Sequence, residues 1–197
     1  MTKTALALIA LAVGLVSARA DDVTRLRGTI EASDRATATI RPDDGGTVTV
    51  AMPDETRIFA ATSGKLTDVK PESYIGAAAI PQQDGTQKAL QVTVFASSLR
   101  GTSDGHHPWD LATGSSMTNG AVGTLTGTKG RTITVRYKGG EKTIIVAEDV
   151  PVTQVDPGDK SLVVAGARVV AFIRPAAGGK REAIVLIVGR NGAVPSM

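Results

Sequence analysis

The chain has 197 residues, with 22 Lys and Arg against 19 Asp and Glu, no cysteine, one Trp, two Tyr and three Phe. The lack of cysteine excludes disulfides, thiolate nucleophiles, Cys-ligated zinc and a lipid-modified N-terminal cysteine. So few rings exclude a platform of stacked bases, and nucleic acid is not an expected partner.

Residues 1–20 read as a signal peptide. Lys3 supplies the positive start, residues 5–16 are an apolar run broken only by Gly14, and Ala18-Arg19-Ala20 supplies a small-x-small cleavage site. Such a run is too short to span a bilayer comfortably. The expected mature chain starts at Asp21, in a periplasmic or extracellular setting with no transmembrane segment left.

Residues 21–96 read as a first β-barrel module. Thr37-Ala38-Thr39-Ile40-Arg41 alternates polar and apolar, which is strand periodicity. Asp43-Asp44-Gly45-Gly46 then turns the chain, and strands follow over 47–52, 56–59, 74–80 and 89–95. A looser stretch over 63–73 has room for one helical turn.

Residues 97–119 are a linker by composition, rich in Gly, Ser and Thr. They nevertheless carry both histidines and the single tryptophan, in His106-His107-Pro108-Trp109-Asp110. One reading buries the Trp109 ring between two barrels to pin the linker. The other makes His106, His107, Trp109 and Asp110 a small-ligand or metal site, imidazole and carboxylate being suitable ligands for zinc, copper or nickel. Adjacent side chains on an extended backbone point to opposite sides. The two histidines therefore share one ion only across a turn, and no specific metal is assigned.

Residues 120–191 repeat the first module, and 192–197 form a tail. Shifted by 95, Gly28-Thr29-Ile30 falls on Gly123-Thr124-Leu125, Arg41 on Arg136 and Gly45 on Gly140. After a one-residue deletion, Ile75 falls on Val169 and Val92 on Leu186. Strands are expected over 132–137, 142–147, 152–155, 168–174 and 182–188. The copies differ in their last strand. Leu90-Gln91-Val92-Thr93-Val94 alternates, whereas Ile184-Val185-Leu186-Ile187-Val188 is apolar throughout. A strand apolar on both faces is covered on both, so Val185 and Ile187 are interface candidates, facing the other barrel or a partner. The second copy is also the more basic. Arg131, Arg136, Lys138, Lys142, Arg168, Arg174, Lys180 and Arg181 are candidates for one cationic barrel face.

Short strands in so small a module bury a face best by closing into a barrel. The expected fold is all-β: two tandem small barrels, OB-like, with an SH3-like barrel or a small sandwich as alternatives. No G-x-S-x-G elbow or phosphate loop is present, and the paired acids sit at turns. A non-enzymatic chain without a cofactor is expected. The G-T-[IL] starts, the Gly45 and Gly140 turns, His107-Pro108-Trp109-Asp110-Leu111 and Ser116-Met117-Thr118-Asn119 resemble a family of secreted bacterial tandem β-module proteins of unknown function. The resemblance implies export and fold, and carries no catalytic residues. The expected role is a binding or scaffold module of the cell envelope. Its partner would be another envelope protein or an anionic polymer. The alternative is a periplasmic metal- or small-ligand-binding protein using the linker.

Overall fold

A computed structural model describes residues 23–127 and 131–196; the expected signal peptide, residues 1–20, lies outside the described residues. Thirteen strands follow in chain order among them: β1 Thr24–Ser33, β2 Thr37–Pro42, β3 Val48–Ala51, β4 Arg57–Ser63, β5 Tyr74–Pro81, β6 Gln87–Phe95, β7 Gly105–Pro108, β8 Ser116–Thr126, β9 Arg131–Tyr137, β10 Gly140–Val146, β11 Val152–Pro157, β12 Arg168–Pro175 and β13 Arg181–Gly189. Among the described residues, helical structure is limited to 3-10 turns of three residues, one of them at Leu66–Asp68 within the loose stretch. The fold is all-β.

Sequence alternation decides which side chains enter the core. β2 buries Ala38 and Ile40 completely and leaves its threonines half exposed; β9 does the same with Ile133 and Val135. Extra residues at four bulges, including one between Ile30 and Ala32 and one between Val122 and Leu125, bend the longer strands so that the sheet can curl.

The strands form one sheet in the order β10-β9-β8-β5-β6-β11-β4-β13-β12-β1-β2-β3. Both ends curl back. β3 meets β13 in parallel, which closes a first ring of β1, β2, β3, β13 and β12. β10 meets β6 in parallel, which closes a second ring of β8, β9, β10, β6 and β5. Each ring is an OB-like barrel of order 1-2-3-5-4. The first is filled by Ile30, Ile40, Val50, Met52, Ile173 and Leu186 among others, the second by Ile75, Val92, Ile133, Val135 and Ile144. Burying each such side chain contributes about 1.5–3 kcal/mol, which offsets the ordering of short strands and many turns.

Two barrels are present, but not as successive segments. The first ring takes three strands from residues 24–51 and two from 168–189; the second takes three from 116–146 and two from 74–95. The boundaries 21–96 and 120–191 therefore do not delimit the barrels. Nor are residues 97–119 a plain linker, since they hold β7 and the start of β8. The expected pairing of Gly28 with Gly123 is also corrected. Gly28 stands opposite Pro42 and Ile30 opposite Ile40; in the other ring Ala121 stands opposite Arg136 and Val122 opposite Val135. Gly28 thus corresponds to Gly120, three residues earlier. A Cβ on Gly28 would collide with the Arg41 carbonyl, and one on Gly120 with the Arg136 carbonyl. The need is for close backbone approach. The three extra residues fall after Thr126, before β9.

A third apolar cluster lies on the outer faces where the rings meet. Ala61, Tyr74, Phe95, Met117, Val155, Val170 and Ile187 are buried there, with Phe59, Phe172, Val185, Trp109 and Leu111 packed against them.

Candidate functional site

Residues 97–119 form a strap. β7 pairs with β8, setting His106 opposite Thr118 and Pro108 opposite Ser116. A closed turn follows: Trp109 N donates to Ser115 O at 2.8 Å, and Ser115 Oγ donates back to Trp109 O at 3.0 Å. This turn delivers the Trp109 ring to the outer face of the first ring, beside Phe172, Val185 and Ile187. The Arg25 guanidinium stacks 3.4 Å from the Trp109 ring centroid and 5.3 Å from that of Phe172. A cation against an aromatic face in a partly desolvated site contributes about 0.5–2 kcal/mol. Asp110 next door pairs with Arg25 and accepts from Arg27 Nη2 at 2.8 Å. Burial works to raise the Asp110 pKa; the two arginines prevail and hold it below the usual carboxylate value. Two buried nitrogens in the joint, Arg25 Nε and Trp109 Nε1, have no hydrogen-bond partner. They are the polar cost of docking a largely apolar ring.

The histidines do not converge. His106 Nδ1 bonds the Thr118 hydroxyl at 2.8 Å, and its ring stacks on Tyr137 at 6.2 Å. Burial lowers the His106 pKa, with Lys142 and His107 adding to the effect. His107 is exposed and lies against Gly105. Among the described residues no three His, Asp or Glu side chains gather into a metal-ligand set. Of the expected ligand group, Trp109 and Asp110 share one joint, while His106 belongs to a different surface.

That second surface is a cleft of about 380 Å³ lined by Tyr74, Arg100, Asp104, Arg136, Tyr137 and Lys138. Asp104 builds its floor. It accepts from the Tyr74 hydroxyl at 3.2 Å and from the Lys138 backbone N–H at 2.6 Å, tying the strap to the β9–β10 turn. Burial, then Asp104, pushes the Tyr74 pKa upward, so the phenol stays a donor. The Arg100 guanidinium lies 5.8 Å over the Tyr74 ring and donates to the Glu72 carbonyl. Arg136 remains largely exposed, with Glu141 at 3.7 Å. Three cations and the Tyr137 ring thus border one open groove.

The eight basic residues expected on one cationic face do not share one. Arg131, Arg136, Lys138 and Lys142 lie on β9, β10 or their turn, in the second ring. Arg168, Arg174, Lys180 and Arg181 follow β12 and β13 into the first ring, because those strands cross over. There Arg168 is held by Asp43 at 2.7 Å and Arg174 pairs with Glu182.

Val185 and Ile187 lie on the outer face of β13, beneath the strap. Their counterparts, Gln91 and Thr93 on β6, meet the C-terminal tail. Thr93 Oγ1 donates to the Ser196 carbonyl at 2.8 Å, and the Ser196 hydroxyl also contacts Thr153. Sequence reasoning missed Arg25, Arg27, Arg100 and Ser196. The first two carried a signal: Arg25 and Arg27 are two apart in an extended run and so share one face.

No family model matches this chain, and no curated protein or solved structure resembles it closely enough to count as a match.

Proposed function

We propose that the chain is an exported, non-enzymatic binding module of the cell envelope whose ligand is an anionic polymer. The observation that carries this reading is the groove bordered by Arg100, Arg136 and Lys138 with the Tyr137 ring. Its one carboxylate, Asp104, is spent on Tyr74 and the Lys138 backbone. Against Arg100, Arg136 and Lys138 stand Asp104 within the groove and Glu141 beside Arg136, so its border keeps an excess of positive charge. Guanidinium and ammonium groups suit carboxylates or phosphates along a chain, and the half-buried Tyr137 ring, stacked on His106, adds an aromatic border that suits a sugar. A chain exported by the segment read at residues 1–20 would meet such a ligand in the envelope. The strap supports the reading by fixing the groove: one wall is strap, the other is the β9–β10 turn.

Calorimetric titration with polygalacturonate at low and at high salt tests this. Binding should weaken steeply with salt. It should fall about tenfold for Arg136→Gln combined with Lys138→Gln, a loss of roughly 1.4 kcal/mol. A titration with no heat, or an affinity that the double substitution leaves unchanged, would discard the groove. Titrating zinc, copper and nickel in parallel addresses the alternative, a metal site at the histidines. Metal binding abolished by His106→Ala with His107→Ala would favour it.

A further inference from the structure

Neither ring can be closed by one half of the chain. Residues 24–95 supply β1, β2 and β3 to the first ring and β5 and β6 to the second, and residues 116–189 supply the complement. The long edge of β1 is satisfied only by β12, through six residue pairs from Thr24↔Ile173 to Thr29↔Arg168. The edge of β5 is satisfied in the same way by β8, through six pairs from Tyr74↔Ala121 to Ala79↔Ser116.

The centre of the molecule shows how the halves are related. β4 and β11 run antiparallel with Ala61 opposite Val155. They also occupy matching places beside the last strands: Ile58 beside Leu186, and Val152 beside Val92. By that match Ala61 and Val155 are counterparts, and they face each other. The neighbouring pairs obey the same exchange. Gln154↔Thr62 is mirrored by Asp156↔Ala60, and Thr153↔Ser63 by Pro157↔Phe59. A contact in which residue i meets j while the counterpart of j meets the counterpart of i is isologous, the geometry of a twofold dimer.

We propose that the two halves are each other's obligate binding partner: a strand-exchanged dimer of one small module, joined into a single chain by the strap. The surface that each half offers is a pair of unpaired strand edges and two half-cores. One half-core carries Ile30, Ile40 and Val50, the other Ile75, Ala77 and Val92. The partner it fits is the other half. The strap keeps that partner at high effective concentration, and the Trp109–Arg25 joint fastens it to β1.

Nicking the folded, full-length protein tests the proposal. Thr113 and Gly114 are exposed at the tip of the strap turn, and a protease site inserted between them cuts the covalent link without touching a strand. The nicked protein should keep the mass of the intact one in light scattering. Its unfolding midpoint should fall on tenfold dilution, whereas the uncut protein's should not. After separation in denaturant, neither fragment should refold as a monomer, and equimolar mixing should restore the 1:1 particle. Two separately folded monomers, each with a closed barrel, would overturn the proposal. A concentration-independent midpoint of the nicked protein would overturn it too.

Discussion

The outer faces of β13 and β6 occupy matching places in the two rings, yet they carry opposite chemistry and opposite covers. Ile187 is buried in a cluster with Val170, and Val185, Phe172, Trp109 and Leu111 pack against that cluster. Gln91 and Thr93 lie where the tail crosses, and Ser196 meets Thr93 and Thr153 there through its hydroxyl and carbonyl. One cover excludes water with rings and aliphatic groups. The other satisfies buried hydroxyls with hydrogen bonds. The difference between two otherwise parallel strands is thus set by what lies over them. An apolar cover holds through area and collapses when a polar group enters beneath it. A polar cover holds through bonds that water can replace once the site opens.

Exchanging the chemistry of the apolar face should produce the largest effect. Val185→Gln with Ile187→Thr places an amide and a hydroxyl in the apolar cluster that Trp109 packs against, where their own N–H and O–H groups meet mainly rings and aliphatic side chains. The double variant should lose about 4 kcal/mol, combining lost transfer energy with unsatisfied polar groups. Urea unfolding reads this as a lower midpoint at unchanged slope. A loss below about 1 kcal/mol would mean that the strap does not cover this face tightly. Next in size is Trp109→Ala, which leaves Val185 and Ile187 in place and exposes them. It should lose about 3 kcal/mol. Truncation after Asn191 removes the opposite cover. It should lose only about 1 kcal/mol, because Thr93 and Thr153 regain water in exchange for Ser196. If the truncation costs as much as Trp109→Ala, the contrast between the covers fails.

Much of this arrangement is local and was therefore legible. Period-two alternation marked β2 and β9, and the Gly45 and Gly139 turns, both at positive φ, marked hairpins. The continuous apolar run at 184–188 lies on β13, whose outer face carries the buried Ile187 and the partly buried Val185. Which half closes which ring was not legible. β5 and β12 present nearly the same apolar pattern, so the pattern by itself does not say which of them stands beside β1. The slip of Gly28 onto Gly123 has a similar origin. β8 holds two glycines three apart, and only the collision at the Arg136 carbonyl identifies Gly120 as the structural one. Trp109 stood out by rarity, but its partners Arg25 and Arg27 lie more than 80 residues away in sequence, where no spacing rule reaches.

Acidity separates the two covers in a subtler way. The strap carries His106 and Asp110, both held below their ordinary pKa values, His106 chiefly by burial and Asp110 by its arginines against burial. Residues 190–196 carry no group that titrates between pH 4 and 8. A depressed folded-state pKa means that the folded chain binds the proton less readily than the unfolded chain. The stability due to neutral His106 is therefore complete above about pH 6.5 and is lost as the pH falls through the folded value; that due to ionised Asp110 is lost in the same direction, below about pH 4. Between pH 7.5 and 5.0 the protein should accordingly lose stability through His106 alone among these groups. His106→Gln keeps a partner for the Thr118 hydroxyl and removes the titration, so its unfolding midpoint should fall less over that interval. The tail-truncated chain should show the full loss, since its strap is intact. An identical pH dependence in the native protein and the His106→Gln variant would show that the strap's hold on β8 is indifferent to the charge of that ring. The apolar cover would then be as insensitive to acid as the polar one.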